Sequence, residues 1–213
     1  MKRFFVTGTD TGAGKTFVTA ALARRAVQLG KKVMAFKPIE TGCERVGDRL
    51  VGADQEVICA AAGGWQAGPL RGLYHLIAPL APYVAAKAEK ITIDLDGIAA
   101  TATSVTDVEV LVVEGAGGWR VPITETEDMS GIARRLEGPV VVVGRAGLGT
   151  INHSLLTIEA VERDGCTIAA VVLSRRPDED REFALNNVEQ IRRRWPGRVM
   201  LFDTDLRVFD ELL

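Results

Sequence analysis

The chain is poor in cysteine and histidine, and this limits the kinds of site that it can build. Its three cysteines, Cys43, Cys59 and Cys166, are scattered and show neither a disulfide framework nor a zinc-ligand spacing. We therefore expect a protein of the reducing cytoplasm. Of the two histidines, His75 has no matched partner in the sequence, and His153 is expected to have a structural or helix-capping role.

The chain also lacks a strong net charge and any long apolar run. Its formal net charge of −2 gives no electrostatic reason to expect nucleic acid as a partner. Only three apolar residues follow the first three positions, too few for the core of a signal peptide, and no apolar run approaches the length of a membrane span. We expect neither nucleic acid nor a membrane as a partner, and a single domain over residues 1–213.

What the chain has instead is a regular alternation of strand-like and helix-like segments. Several strand segments are unbroken runs of valine, isoleucine and leucine, which is typical of parallel strands covered on both faces. The predicted strands are residues 3–7, 33–36, 109–113, 139–143, 167–173 and 198–202, and the predicted helices are residues 15–29, 54–62, 80–89, 94–104, 128–136, 151–164 and 181–194. This order predicts an α/β fold whose parallel β-sheet is flanked by helices on both faces, with ligands bound beyond the carboxyl ends of the strands.

The first strand leads into a glycine-rich loop that is typical of phosphate binding. The loop ends in Gly14-Lys15-Thr16 at the start of a helix, so its backbone N–H groups can hold phosphate oxygens. Lys15 can reach the outer phosphates, and the Thr16 hydroxyl can bind Mg²⁺. The common pattern has a glycine where this chain has Thr9, so the loop is a stretched variant. We predict a phosphate-loop NTPase-like domain that binds a nucleoside triphosphate.

Charged residues follow the next two buried strands. Lys37 stands at the end of the second strand, before Pro38, where its ammonium group can face the phosphate loop or lie on the surface before a turn. Glu114 ends the third strand and precedes three glycines within Gly115–Gly118. It suits a metal-side carboxylate, and the glycines allow a ligand to approach the backbone, but an exposed glutamate before a glycine-rich turn would show the same pattern.

Two further positions are open to more than one interpretation. Asp54 opens a helix, where it can be an N-cap residue or a first-turn charge. It can equally supply a third oxygen around Mg²⁺, together with Thr16 and Glu114. Residues 144–153 form another glycine-rich junction between a strand and a helix, which makes a second anion site plausible there.

The segments with this chemistry together resemble the dethiobiotin synthetase family. Those that match its motifs are Val6–Thr16, Lys37–Gly42, Glu114–Gly118 and Gly149–His153. The stretched phosphate loop, which is unusual as a general motif, is this family's usual form. The resemblance covers residues 3–174 and fades beyond them.

The resemblance implies an ATP-dependent ligase that acts on 7,8-diaminopelargonic acid in biotin biosynthesis. One amine of this substrate reacts with CO₂ to form a carbamate, ATP phosphorylates the carbamate, and the second amine closes a cyclic urea as phosphate leaves. Because several anionic groups must be brought together, fixed cations and oriented N–H donors should dominate catalysis. The family also implies a homodimer with the substrate bound across the interface, where the junction at residues 147–152 would receive the substrate's distant carboxylate from the neighbouring subunit.

The same resemblance assigns roles residue by residue. Catalytic roles fall on Lys15, Lys37 and Thr11, and Mg²⁺ binding falls on Thr16, Asp54 and Glu114. The residues implied in nucleotide binding are Gly12, Ala13, Gly14, Lys15, Thr16, Phe17, Asp54, Glu114, Gly115, Ala116, Gly117, Ser174, Arg175 and Glu211. The residues implied in substrate binding are Thr11, Lys37, Thr41, Gly117, Gly118, Thr150 and Asn152.

Two other functions use a related fold. A switch or partitioning ATPase of the septum-site or plasmid-partition type would carry an extra lysine where this chain has Asp10, and the Lys37-Pro38 pair is unexpected in such a protein. A cobyrinate-type amidotransferase synthetase needs a glutamine-hydrolysing domain, for which 213 residues leave little room. Dethiobiotin synthesis is therefore the function that we expect.

The chain departs from the family pattern where the nucleotide base should lie. Ser174 stands after the fifth strand in place of the usual asparagine, with Arg175 next to it, and residues 202–204 replace an Ile-Pro pair after the last strand. A serine hydroxyl replaces an amide that offers both a donor and an acceptor, so we expect loose discrimination between bases. The distance of Glu211 from Thr204 in the sequence matches the family spacing, and the resemblance therefore implies that Glu211 lies near the ribose.

Overall fold

The framework of the protein is a six-stranded parallel sheet. The computed structural model describes residues 1–213. Its strands are β1 (Lys2–Gly8), β2 (Val33–Phe36), β3 (Ile39–Thr41), β4 (Glu44–Val46), β5 (Arg49–Val51), β6 (Tyr74–Leu76), β7 (Val110–Gly118), β8 (Val140–Arg145), β9 (Ile168–Ser174) and β10 (Val199–Phe202). The main sheet has the order β10-β9-β8-β1-β7-β2, and every neighbouring pair in it is parallel.

Helices cover both faces of this sheet. They are α1 (Lys15–Gln28), α2 (Ala53–Ala61), α3 (Pro82–Ala88), α4 (Leu95–Thr103), α5 (Ser130–Leu136), α6 (Thr150–Arg163) and α7 (Arg181–Arg192), with short 3₁₀ helices at Gly68–Arg71 and Leu206–Phe209. Helices α1 and α2 and the second 3₁₀ helix pack on one face, and α3 to α7 pack on the other. None of the helices is both long and apolar enough to cross a lipid bilayer.

The unbroken apolar strands are explained by these two layers. In β2, Val33 and Ala35 pack towards α1 and α2, whereas Met34 and Phe36 pack towards the opposite layer. Successive side chains of a strand point to opposite faces, and each face here is covered, so every position of β2 is buried. The predicted α/β class, with a parallel sheet between two helical layers, is confirmed.

The register of the central strands brings two glycine-rich loops together. β1 lies between β8 and β7, and Gly8 at its end is paired with Gly118 at the end of β7. A Cβ atom at Gly8 would lie 3.2 Å from the carbonyl oxygen of Gly117 and 2.7 Å from that of Asp10. The loops after β1 and β7 therefore meet at the carboxyl edge of the sheet without room for a side chain between them.

The six predicted strands and seven predicted helices are all present, and most of their ends differ by at most two residues. The exception is β7, which continues to Gly118, so Glu114 lies within this strand and does not end it as predicted. The four short strands β3 to β6 were not predicted, because three-residue strands are too short to show a periodic pattern. β3 pairs in parallel with β6, and β4 with β5 forms an exposed antiparallel hairpin between Thr41 and α2. Of these additions, β3 begins three residues after the end of β2, at the carboxyl edge of the main sheet.

Candidate active site

A cavity of about 840 Å³ opens at the carboxyl edge of the sheet, above the loop that follows β1. It is lined by the phosphate loop, by the segment after β2, by the start of α2, and by parts of the loops before α3 and after β7. The lining residues are Thr11, Gly12, Gly14, Lys15, Thr16, Phe17, Lys37, Glu40, Thr41, Asp54, Pro79, Leu80, Ala81, Pro82, Ala116, Gly117 and Val121. Segments far apart in the sequence thus meet in one cleft.

The phosphate loop has the backbone geometry that its glycines predict. Gly12 and Gly14 have φ angles of 72° and 96°, in the left-handed region that favours glycine, and α1 begins directly after Gly14. No side chain caps this helix, so the N–H groups of its first turn remain available to an anion. The Lys15 side chain is buried, and its Nζ donates to the Asp10 carbonyl oxygen at 3.3 Å. Burial lowers the pKa of Lys15.

Lys37, Glu114, Asp54 and Thr16 form a cluster beside the cavity, in which Lys37 and Glu114 are buried and Asp54 and Thr16 are partly exposed. Lys37 Nζ lies 2.9 Å from Glu114 Oε1 and also forms an ion pair with Asp54 Oδ2. The Thr16 hydroxyl donates to the same Glu114 Oε1, at 2.9 Å. Glu114 is fully buried, and its second oxygen, Oε2, has no hydrogen-bond partner. The ammonium of Lys37 thus compensates two carboxylates beside the phosphate loop.

The charges in this cluster are mutually stabilised. Burial alone would lower the pKa of Lys37, but the carboxylates of Glu114 and Asp54 outweigh burial and raise it. Burial acts to raise the pKa of Asp54, and the Lys37 ammonium more than offsets this, so that the Asp54 pKa is lowered. Both shifts favour the charged forms at neutral pH.

The structure excludes Asp54 as the N-cap residue of α2 and places it in the first turn of that helix, as an acidic first-turn residue. The N-cap residue of α2 is Gly52, so Asp54 is not the N-cap, and its carboxylate is turned towards Lys37. The helix is capped instead by Glu40, whose Oε1 and Oε2 accept from the backbone N–H groups of Asp54 at 2.8 Å and Gln55 at 3.0 Å. The sequence pattern does not predict this role of Glu40, because the hairpin of β4 and β5 separates Glu40 from α2 in the chain.

The glycine-rich end of β7 lies against the phosphate loop. Gly117 has a φ angle of 70°, and a Cβ atom there would lie 3.6 Å from Thr11 Oγ1 and 2.7 Å from a methyl carbon of Val121. Gly115 is packed so closely that a Cβ atom would lie 2.9 Å from the ring of Phe5. Glycines at these positions therefore set the approach of the two loops.

Ser174 and Phe17 lie beside the phosphate loop. A Cβ atom at Gly14 would lie 2.5 Å from Ser174 Oγ, so the end of β9 touches the loop directly. The half-exposed ring of Phe17 lines the cavity and packs on the buried ring of Phe202, with centroids 4.8 Å apart. The Arg175 guanidinium is engaged locally, since its Nη1 donates to the carbonyl oxygens of Arg176 and Glu179.

Glu211 lies elsewhere, and its predicted position near the nucleotide requires correction. It forms an ion pair with Arg198, with 2.6 Å between the oxygen and the nitrogen, and it lines a cavity with Met1, Lys2 and Arg3. These residues are at the amino ends of the strands, opposite the phosphate loop. The sequence spacing does not predict this position. The 3₁₀ helix at Leu206–Phe209 packs along α1 and returns the chain to the amino ends of the strands.

The junction before α6 is also separate from this cavity. Gly149, at the helix start, has a φ angle of 90°, and Leu148 beside it is 95% exposed. Asn152 is exposed, whereas the Thr150 side chain is buried next to Ser154. Within one chain, neither Thr150 nor Asn152 lines the cleft that holds Lys37.

Known proteins are similar in sequence to this chain over nearly its whole length. The ATP-dependent dethiobiotin synthetase BioD of Anaeromyxobacter dehalogenans strain 2CP-C is 41% identical over 97% of this chain and 92% of its own length. The chain belongs to the dethiobiotin synthetase family. The BioD protein of Anaeromyxobacter sp. strain K is 37% identical with the same coverage, and a family profile described as an AAA domain matches residues 2–200.

Solved structures resemble the fold at much lower sequence identity. The MinC:MinD cell division protein complex of Aquifex aeolicus matches with a TM-score of 0.56 and 16% identity, over 99% of this chain and 84% of that chain. The cell division protein FtsY of Thermotoga maritima matches with a TM-score of 0.55 and 16% identity, over 95% and 60% of the two chains. These similarities concern the fold alone, and they confirm the phosphate-loop NTPase-like architecture.

The buried cluster predicts a specific effect of Lys37 on stability. Lys37→Met should lower the free energy of unfolding by about 3–5 kcal/mol, because Glu114 would remain buried without a cation. Lys37→Met/Glu114→Gln should recover part of this loss, since the amide carries no charge. Urea unfolding at pH 7 measures both variants.

The direction of the shift in the Lys37 pKa sets the pH range in which Lys37→Met should destabilise the protein. A raised pKa means that the contribution of Lys37 is fully present below its unfolded-state pKa and is lost only as the pH rises through the folded-state value. Lys37→Met should therefore be destabilising to a similar extent at pH 6 and pH 8. An unchanged urea midpoint in Lys37→Met would contradict the contribution of the Lys37–Glu114 ion pair to stability.

Proposed function

We propose that the cavity closes the cyclic urea of dethiobiotin from ATP, CO₂ and 7,8-diaminopelargonic acid. The observation that supports this most is the position of Lys37, held between Glu114 and Asp54 at the rim of a phosphate loop. A fixed cation at that point suits a reaction in which one anion, a carbamate, attacks another, the γ-phosphate. Family membership supports the same reaction.

The phosphate loop would hold the triphosphate. Backbone N–H groups around Gly12, Ala13 and Gly14 and the start of α1 would bind the phosphate oxygens, and Lys15 would neutralise charge on the outer phosphates. Ala116 and Gly117 would line the other side of the reacting phosphate, because they border the same cavity. Phe17 would lie beside the nucleoside.

Mg²⁺ fits the residues beside this loop. Thr16, Asp54 and Glu114 offer only oxygen atoms, which Mg²⁺ prefers, and Glu114 Oε2 is a buried oxygen without a partner. Bound there, the ion would neutralise charge on the triphosphate oxygens. These three residues would hold the ion together with the nucleotide.

The substrate would lie between Lys37 and Thr41. One amine of the diamine adds to CO₂ and loses a proton to give the carbamate, whose oxygen attacks the γ-phosphorus as the bond to ADP breaks. The second amine nitrogen then attacks the carbamate carbon, loses a proton, and phosphate leaves. Lys37 would stabilise negative charge where carbamate and phosphate meet, while Thr11 and Thr41 would orient the amine and carbamate groups.

A homodimer would complete the substrate site. Gly118 and the start of α6 at Thr150–Asn152 would bind the substrate. The N-terminus of α6 would bind the distant carboxylate of a substrate that is held in the neighbouring subunit. The exposed side chain of Asn152, outside the chain's own cavity, supports a contact made in trans. A fully active monomer in sedimentation analysis would exclude this arrangement.

The reaction predicts a strict requirement for two co-substrates. ADP release should depend on both the diamine and bicarbonate, and omission of either should reduce it to background. Lys37→Ala should lower kcat at least about tenfold with a smaller effect on nucleotide binding, since the charge that Lys37 meets develops between the reacting groups.

A switch or partitioning ATPase would give the opposite result. Such a protein would release ADP regardless of diamine and bicarbonate, and this outcome would overturn the proposed reaction. Near-wild-type turnover of Lys37→Ala, with both co-substrates still required, would overturn only the role given to Lys37.

We also propose that the nucleotide base is read loosely. Ser174, at the loop, offers one hydroxyl, and the neighbouring Arg175 is engaged with backbone carbonyl oxygens. The half-exposed Phe17 ring can stack on any base, and stacking tolerates differences between bases. ATP, CTP, GTP and UTP should therefore support turnover with similar kcat/KM.

The variant Ser174→Asn should sharpen the preference for ATP, because an amide adds a donor and an acceptor at this position. The measurement is kcat/KM for the four nucleotides with both proteins. A strong ATP preference in the unmodified chain would show that other residues read the adenine.

A further inference from the structure

Glu40 is a buried carboxylate beside the proposed active site, and the reaction itself does not use it. It lies in the middle of β3, between Lys37 and Thr41, and only 7% of it is exposed. Buried glutamates are rare unless their oxygens are paired. Both of its oxygens accept backbone hydrogen bonds, from Asp54 N and Gln55 N.

Gln55 makes a second connection in the opposite direction. Its Oε1 accepts from the backbone N–H of Lys37 at 2.6 Å, and its Nε2 donates to the carbonyl oxygen of Ala35 at 3.3 Å. The first turn of α2 is therefore attached to residues 35–40 by four hydrogen bonds, two through Glu40 and two through Gln55. These contacts join the segment that carries Lys37 to the turn that carries Asp54.

Gly52 provides the space that Glu40 needs. A Cβ atom at Gly52 would overlap the Glu40 carboxylate, so any side chain there would displace it. The hairpin of β4 and β5, which precedes Gly52, is mostly exposed and has few contacts that could fix α2 by itself. The first turn of α2 is therefore positioned by Glu40 and Gln55, together with the packing of α2 against α1 and β2, rather than by the chain that leads to it.

We propose that Glu40 is a positioning residue, which fixes the Asp54 carboxylate relative to Lys37 by holding the N-terminus of α2 against β3. This inference rests on the proposed function, because it assumes that Asp54 acts in turnover. Small displacements of a reacting group reduce rates strongly, so loss of this attachment should be seen in kcat more than in nucleotide binding.

A double-mutant cycle tests the inference. Glu40→Ala should lower kcat about tenfold while changing the KM for ATP less than about twofold. If Glu40 acts through Asp54, the same substitution in an Asp54→Ala background should cause no further loss of kcat. Losses that multiply in the double variant would overturn the proposal, as would wild-type kcat in Glu40→Ala.

Calorimetry provides a readout that does not depend on turnover. Glu40→Ala should reduce the increase in ADP affinity produced by Mg²⁺, and should leave ADP binding without Mg²⁺ unchanged. Glu40→Gln keeps one carbonyl oxygen as an acceptor and should give an intermediate effect. Equal loss of ADP affinity with and without Mg²⁺ would indicate general damage to the site and would overturn the proposal.

Two further variants separate positioning from stability. Asp94 caps α4 in a similar way, accepting from the Asp96 N–H at 3.0 Å, but it does not line the cavity. Asp94→Ala should lower the urea midpoint without changing kcat, whereas a matching kcat loss would overturn the proposal.

If Glu40→Ala does not fold, Gly52→Ala, which displaces the carboxylate without removing it, should show the same kcat loss, and a wild-type kcat there would overturn the proposal.

The cycle also distinguishes this inference from the proposed function. Wild-type turnover in Asp54→Ala would contradict the role of Asp54 itself and would overturn both. An impaired Asp54→Ala, with a further independent loss from Glu40→Ala, would overturn the positioning role alone.

Discussion

The buried ammonium of Lys37 is the group on which the arrangement of the cavity depends. Glu114 is fully buried within β7, and its charge would be costly there without a cation, while Asp54 reaches the same ammonium from α2. The Thr16 hydroxyl attaches the start of α1 to this cluster through Glu114. One cation thus connects the start of α1, strand β7 and helix α2.

The parallel sheet makes this connection possible. Strands β1, β7 and β2 are neighbours, and all of them end at the same edge, so the residues that follow them converge although the sequence separates them widely. The apolar residues of the strands are buried between two helical layers, so the carboxyl edge of the sheet is a rigid part of the fold on which the charged groups are placed. The polar groups of the site therefore lie on strands, helix starts and connecting segments at this edge, and the sheet fixes their relative positions.

The sequence was sufficient for those parts whose signals are local or strongly periodic. The six apolar strands, the glycines of the phosphate loop and the position of Lys37 after β2 were predicted from the residues and their order, whereas β7 continues past Glu114, which was predicted to end it. The capping of α2 by Glu40 could not be predicted, because it joins two residues across a hairpin without a sequence signature. Glu211 was misplaced for a related reason, since the path of the last residues depends on packing against α1.

The hairpin of β4 and β5 also bears on how the sequence can vary. Both of its ends are held: Cys43 donates its backbone N–H to Leu76, and Gly52 lies against Glu40. Between these two points the chain is largely exposed and contributes no residue to the cleft. Lengthening a flexible loop between fixed ends costs little entropy. Insertions and deletions should therefore accumulate in this hairpin during evolution, while the residues on either side of it keep their separation in space.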